Sequence, residues 1–480
     1  MNLDSASFQF VLFGLATALL SNFSCSRIWR SCVLMLASLL FLGLLAHSWV
    51  VFLPLAGFLL LGYLGLVLLQ NGFSKSMVWS ILAVIFVYIW LKQYTFIPEA
   101  MFLRFSYFTL GLSYIFFRVL HLLIDRADST NKQPINLAQY MLYTVNFTTL
   151  ISGPIQLYDD FARDQFAAEP IALGPRVIGV QLERIVIGFF KVNVIALLLH
   201  AMHEDAVAQM HIAFPVSLRL FAAFKLILLY PFFIYTNFSG YIDIVIALAR
   251  LMRIRLPENF DRPFSASSFL DFWSRWHITL SNWLKMYVYN PLLIALMRRV
   301  SSVALQTYLG VFCFFVTFFV AGIWHGRTSE FAFFGLLQGS GVAINKFWQL
   351  WLTSRMGRKG YKALASNAFY IAFGRGLTFS WFAFTVFWFW SNWGQLGSLL
   401  SALGAVKWIG VWTALWLMAT VVLAMWEWFY TMLSASNSAI ASFLMSRYTR
   451  VVFASALALI AFVFTIVLNQ PVPPIVYKAF

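Results

Sequence analysis

The chain has 480 residues, 61% of them hydrophobic, 19% aromatic and only 10% charged, where a soluble domain carries about 25% charged residues; the composition argues against a soluble protein and for a polytopic membrane protein. Its 33 Lys and Arg against 17 Asp and Glu give a net charge of +16, a surplus that membrane proteins collect in cytoplasmic loops and that calls for no nucleic-acid partner. Cys25, Cys32 and Cys313 show neither CxxC nor Cys/His metal spacing, which argues against a disulfide framework and a zinc site.

Apolar runs approaching the roughly 20 residues of a bilayer span lie at 8–23, 28–46, 49–70, 77–96, 102–124, 177–200, 214–236, 302–324, 328–352, 366–391, 406–432 and 450–469. They predict an all-α membrane helix bundle of about 11–13 spans. The start, MNLDSASFQFVLFGLATALL, lacks the basic segment of a cleavable signal and reads as a retained first span. Arg27 and Arg30 follow the first run, Lys75 the third, and Arg126 and Lys132 the fifth. If spans alternate, these share one face, which becomes cytoplasmic and puts the N-terminus outside. His47 and His121 read as loop or packing residues.

Residues 136–161 are apolar but broken by Ser152-Gly153-Pro154, which predicts a bent or re-entrant element. His200, His203, Glu204, Asp205 and His211 form a polar cluster after a span; an outside loop accounts for it, and the HExxH spacing of zinc enzymes is absent. Between Ser239 and Tyr289 the apolar pieces fall short of a span, with Pro257 and Pro263 as breakers, predicting short helices and loops packed inside the bundle. Arg355 and residues 356–362 read as another cytoplasmic loop. With no long repeat or soluble linker, residues 1–480 read as one integral-membrane domain.

Ionisable groups at membrane depth are functional candidates by default, because each costs free energy unless partnered or hydrated. Two stretches concentrate them. Residues 237–289 hold Asn237, Ser239, Tyr241, Asp243, Glu258, Asn259 and Asp261 with Arg250, Arg253, Arg255, Arg262, Arg275 and Lys285. Mutual pairing accounts for most of these; the positive charge also suits a phosphate-bearing donor or an acidic carrier protein, and topology alone produces the same cluster. If residues 272–283 are helical, Trp273, His277 and Leu280 share a face with Trp276, with Arg275 and Asn282 on another; an interfacial helix with a Trp belt is the plainer reading.

The second stretch is Gly322-Ile323-Trp324-His325-Gly326. A lone His in a membrane helix reads first as a hydrogen-bonding packing residue. Here the two glycines allow close approach and Trp324 offers a wall against water, which suits a neutral imidazole acting as general base. No Gly-x-Ser-x-Gly elbow, Walker loop or GxGxxG is present, so acyl-serine chemistry, nucleotide-driven transport and a Rossmann cofactor lack support.

Several blocks together resemble the membrane-bound O-acyltransferase (MBOAT) family. They are Gly111–Arg118, Ser152-Gly153-Pro154-Ile155 with Tyr158 and Phe161, Asn237–Asp243, Pro257–Phe260 with Arg262-Pro263-Phe264, Phe272–Ser281 and Gly322–Gly326. They stand in the family's order over about residues 105–345, nearest the bacterial branch of alginate O-acetylation and teichoic acid D-alanyl transfer. The resemblance implies a multi-pass protein of the bacterial cytoplasmic membrane. Its helices, with short re-entrant and interfacial ones, would surround a central tunnel entered by donor and acceptor from opposite faces. It implies transfer of an acyl group, acetyl first, from a thioester (acetyl-CoA or an acyl carrier protein) to a hydroxyl of an exported polysaccharide or other envelope acceptor.

No bound cofactor or metal is expected; membrane lipid surrounds the protein, and there is room for a periplasmic or extracellular acyltransferase partner. His325 matches the family's catalytic His, the general base, and His277 its second polar position, orienting the acceptor or polarising the thioester oxygen. Trp324, Trp276, Arg275, Asn237, Tyr241, Asp243, Asn259 and Ser281 are the expected substrate contacts. Lys285-Met286 stands where relatives often carry Arg-Asp, and the ending PPIVYKAF echoes the branch only loosely, departures that bear on donor or carrier specificity. Two alternatives stay open: a transporter or flippase of a lipid-linked sugar, which inverted repeats would favour though none is evident, and D-alanyl transfer from a carrier protein to teichoic acid.

Overall fold

The computed structural model describes residues 6–46, 48–128, 133–211, 213–435 and 446–468. His47, Lys132 and the PPIVYKAF ending lie outside the described residues. Apolar segments in a bilayer must satisfy their own backbone groups, and each of the twelve apolar runs falls on a helix. Among the described residues, seven helices are long and apolar enough to cross a membrane: Arg27–Leu45, Trp49–Gln70, Pro175–Gln209, Val216–Leu251, Val303–His325, Ala405–Leu433 and Arg447–Thr465. Phe8–Ser21 and Ser76–Leu91 are shorter apolar helices. The protein is a multi-pass, all-α membrane bundle.

The chain divides into two compact units, one of Met1–Val194, Asn237–Glu258 and Leu457–Phe480, the other of Ile195–Thr236 and Asn259–Ala456. In the first, the Leu112–Asp128 helix starts ten residues later than its apolar run, after Gly111 at φ +74°, where a side chain would strike the Leu150 carbonyl at 2.5 Å. The bend expected at Ser152-Gly153-Pro154 begins earlier. The Leu137–Thr144 helix stops at Thr144, and Asn146 caps a short 3-10 turn over Phe147–Thr149.

Buried Arg118 takes up the carbonyls this leaves. Its guanidinium donates to Tyr143 and Thr144 at 3.1 and 2.8 Å, and to the carbonyl and hydroxyl of Thr149. His121 is a packing residue as expected, its Nε2 accepting the Tyr158 N–H at 3.1 Å.

The expectation of short pieces from Ser239 onward holds only after Leu251. Val216–Leu251 is one 36-residue helix, so Asn237, Tyr241 and Asp243 continue the preceding span. Within the first unit Gly240 makes this possible. A Cβ there would meet the Gly188 carbonyl at 2.7 Å, and one on Gly188 would meet the Gly240 carbonyl at 2.5 Å, so the two backbones approach where neither carries a side chain.

In the second unit two expected loops are helical. His200, His203, Glu204 and Asp205 lie on Leu197–Gln209, with His203 buried against Tyr230 and Trp390, ring centroids 5.2 and 4.6 Å away. Residues 355–362 belong to Ser329–Ala365, which kinks at Gly357, φ +72°; long basic side chains are good helix formers, and only the glycine departs from helical geometry.

Candidate active site

The site is built inside the second unit from two segments. In the first, Asn259–Asp261 lies antiparallel to Arg275–Ile278: Asp261 N–H donates to the Arg275 carbonyl at 2.9 Å, and Ile278 N–H to the Asn259 carbonyl at 3.0 Å. Phe260 and Trp276 form an isolated β-bridge between them. The single helix expected over 272–283 is therefore broken. Phe269–Arg275 ends, Trp276 is extended, and His277 takes the left-handed conformation (φ 46°, ψ 51°) before Ile278–Leu284 begins.

A left-handed non-glycine residue costs roughly 1–2 kcal/mol, so the surroundings must hold it. Trp276 is packed among Phe260, Phe272 and Phe382, with ring centroids 5.2, 5.5 and 4.9 Å away. Asn259 holds the other side. Its Oδ1 accepts the Thr279 N–H at 3.1 Å and the Thr279 hydroxyl at 2.9 Å, and lies 3.3 Å from His277 Nδ1.

These contacts settle a tautomer. A backbone N–H can only donate, so the Asn259 atom facing Thr279 is the oxygen, and the ring nitrogen pointing at that oxygen must carry the hydrogen. Neutral His277 is protonated on Nδ1 and presents a lone pair at Nε2. His277 lies between short helices, outside the seven long spans, and burial first, then the nearby His325, push its pKa well below the ordinary value, favouring that neutral form. In this tautomer Nδ1–H is directed at Asn259 Oδ1, and Nε2 is the ring's acceptor nitrogen.

The second segment ends the Val303–His325 helix. A Cβ on Gly322 would lie 2.0 Å from the Gly335 Cα, and one on Gly326 2.1 Å from the Phe331 ring. The expected close approach is thus made by the next helix. It sets the buried His325 among Trp324, Phe334 and Phe389, with ring centroids 4.8, 5.9 and 5.4 Å away. Trp324 also lies 6.5 Å, ring to ring, from His277, so both imidazoles line one indole.

The other expected contacts divide between the two units. Ser281 is one turn on, its N–H donating to the His277 carbonyl at 3.1 Å. Arg275 pairs with Asp271 at 2.8 Å and Arg262 with Glu427. In the first unit Asn237 and Tyr241 are buried. There Asp243 takes Arg184 at 2.9 Å and Lys191 at 2.7 Å, while Arg184 also grips Glu258. Arg255 pairs with Asp164 at 2.6 Å. Thr279, although inside the Phe272–Ser281 block, and Phe389 are not among the expected contacts, since neither is charged or titratable. Only the three-way bond at Asn259 and the ring contact to His325 reveal them.

Residues 32–389 match the sequence profile of the membrane-bound O-acyltransferase family. The chain is 28% identical over 279 residues to a teichoic acid D-alanyltransferase of Streptococcus thermophilus, covering 56% of this chain and 65% of that protein. It is 33% identical over 207 residues to a peptidoglycan O-acetyltransferase of Helicobacter pylori, 43% of this chain and 37% of that one. It is 30% identical over 237 residues to a probable alginate O-acetylase of Pseudomonas aeruginosa, 49% of this chain and 42% of that one. The matched region therefore spans less than two thirds of each of these three relatives.

Proposed function

Because the chain belongs to the membrane-bound O-acyltransferase family, we propose that it moves an acyl group, acetyl first, from a thioester donor to a hydroxyl of a cell-envelope polymer. The observation that carries this reading is the pair of buried imidazoles, His277 and His325, against the indole of Trp324. The names of the three relatives, which concern teichoic acid, peptidoglycan and alginate, support an envelope polymer as acceptor.

His325 acts as general base. The acceptor oxygen attacks the thioester carbonyl carbon while its proton passes to His325; the C–S bond then breaks, and the imidazolium returns the proton to the departing thiolate. His277 accepts a hydrogen bond through Nε2 from a second, non-reacting hydroxyl of the polymer and so orients the acceptor. The aromatic walls exclude water, which would otherwise hydrolyse the thioester. The donor, acetyl-CoA or an acylated carrier protein, enters from the cytoplasmic face of the bacterial inner membrane, with the N-terminus outside.

The test is transfer of a radiolabelled acetyl group from a thioester to endogenous envelope polymer in inverted membrane vesicles. Labelled ester in the polymer, dependent on this protein, supports the reading. Movement of polymer or lipid-linked sugar without labelled ester would assign the protein to transport instead.

A further inference from the structure

The geometry points to Asn259 as the donor that receives the thioester oxygen: resting on the acyl-transfer reading, we propose that its Nδ2–H group hydrogen-bonds the acyl carbonyl and holds the oxyanion that forms on attack. Asn259 is fully buried. Its Oδ1 is committed to the Thr279 N–H, the Thr279 hydroxyl and His277 Nδ1–H, so the amide cannot turn. Nδ2 is buried and has no hydrogen-bond partner among the described protein atoms. An orphaned buried donor costs more than an ordinary hydrogen bond returns, and such a group in a folded protein calls for an explanation.

The acceptor side of this amide would be served as well by an aspartate, which takes N–H and O–H donors more strongly. What asparagine adds is the N–H₂ group. The reaction needs such a group at this place, because attack on a thioester puts negative charge on the carbonyl oxygen. The neighbouring His277 has no hydrogen to offer it, and a fixed donor in a site without water stabilises developing charge most effectively. As the oxygen attacks, the carbonyl π electrons move to the oxyanion under Nδ2–H. They return to form the product ester as the C–S bond breaks and the thiolate takes the proton held by His325.

The test uses two phosphopantetheine derivatives, since that arm is common to coenzyme A and carrier-protein donors. One is the S-acetonyl ketone, which keeps a carbonyl, and the other the S-ethyl thioether, which has none. Binding to the full-length protein in detergent is measured by calorimetry. Wild type is expected to favour the ketone by roughly tenfold, because a site built to bond an oxygen rejects the analogue that lacks it. Asn259→Asp and the uncharged Asn259→Ser should each erase that preference while leaving thioether binding unchanged, and lower kcat by roughly a hundredfold. Thr279→Val, which keeps Nδ2, should retain the preference.

A wild type that does not distinguish the analogues, or Asn259 variants that weaken both alike, overturns the assignment and leaves Asn259 as a clamp for His277. A wild type that binds neither analogue and forms no acyl ester in vesicles overturns the acyl-transfer reading itself.

Discussion

His277 and Trp324 lie with ring centroids 6.5 Å apart, although 46 residues of chain separate them. One belongs to a segment clipped to Asn259, the other to the end of a membrane-spanning helix. Since Trp324 precedes His325 and lies against its ring, the contact brings two imidazoles of separate origin to one wall.

The Gly322 contact positions His325. Gly322→Ala would put a Cβ 2.0 Å from the Gly335 Cα, where backbone cannot yield as a side chain can. We expect a loss of about 1–3 kcal/mol from overpacking and a fall in acyl transfer beyond that of equally destabilised variants, checked by thermal unfolding and vesicle transfer together. Gly397→Ala, which has nothing within 4 Å, should be neutral or gain up to ~1 kcal/mol.

Arg118 supports the bend after Thr144. Arg118→Leu would remove its donors from the carbonyls of Tyr143, Thr144 and Thr149, at roughly 1–3 kcal/mol for each buried group left unmet. The expected outcome is loss of folded protein, read by fluorescence-detected size exclusion. Normal yield with reduced kcat would instead make Arg118 part of the chemistry.

The sequence showed the helical class and the two histidine segments because composition and motifs are local. It did not show how His277 is presented. Helical spacing put His277 on a face with Trp273 and Leu280, whereas the break depends on Asn259, 18 residues upstream, and on Trp276 entering an aromatic cluster. Likewise, the apolar pieces from Ser239 onward read as too short and interrupted for a span, yet the chain up to Leu251 continues one. It does so because Gly240 meets Gly188 and Asp243 finds Arg184 and Lys191, partners about fifty residues away.

Burial first, then His325, hold the pKa of His277 well below the ordinary range of a histidine. As pH falls through about 6.5, the unfolded chain therefore binds a proton that the folded chain refuses, and folding stability falls with it. Thermal unfolding from pH 8 to pH 5 should show a shallower acid decline for His277→Gln than for wild type. Equal slopes would mean that His277 is as easily protonated in the fold as in the unfolded chain.

The most direct measurement is ester content of the envelope polymer, by mass spectrometry, in cells carrying His325→Gln at wild-type expression. General base catalysis by a positioned side chain contributes typically about 10²–10⁴-fold. The account predicts a loss of that order with the protein still folded and membrane-inserted; near-normal O-acylation by the variant would contradict it.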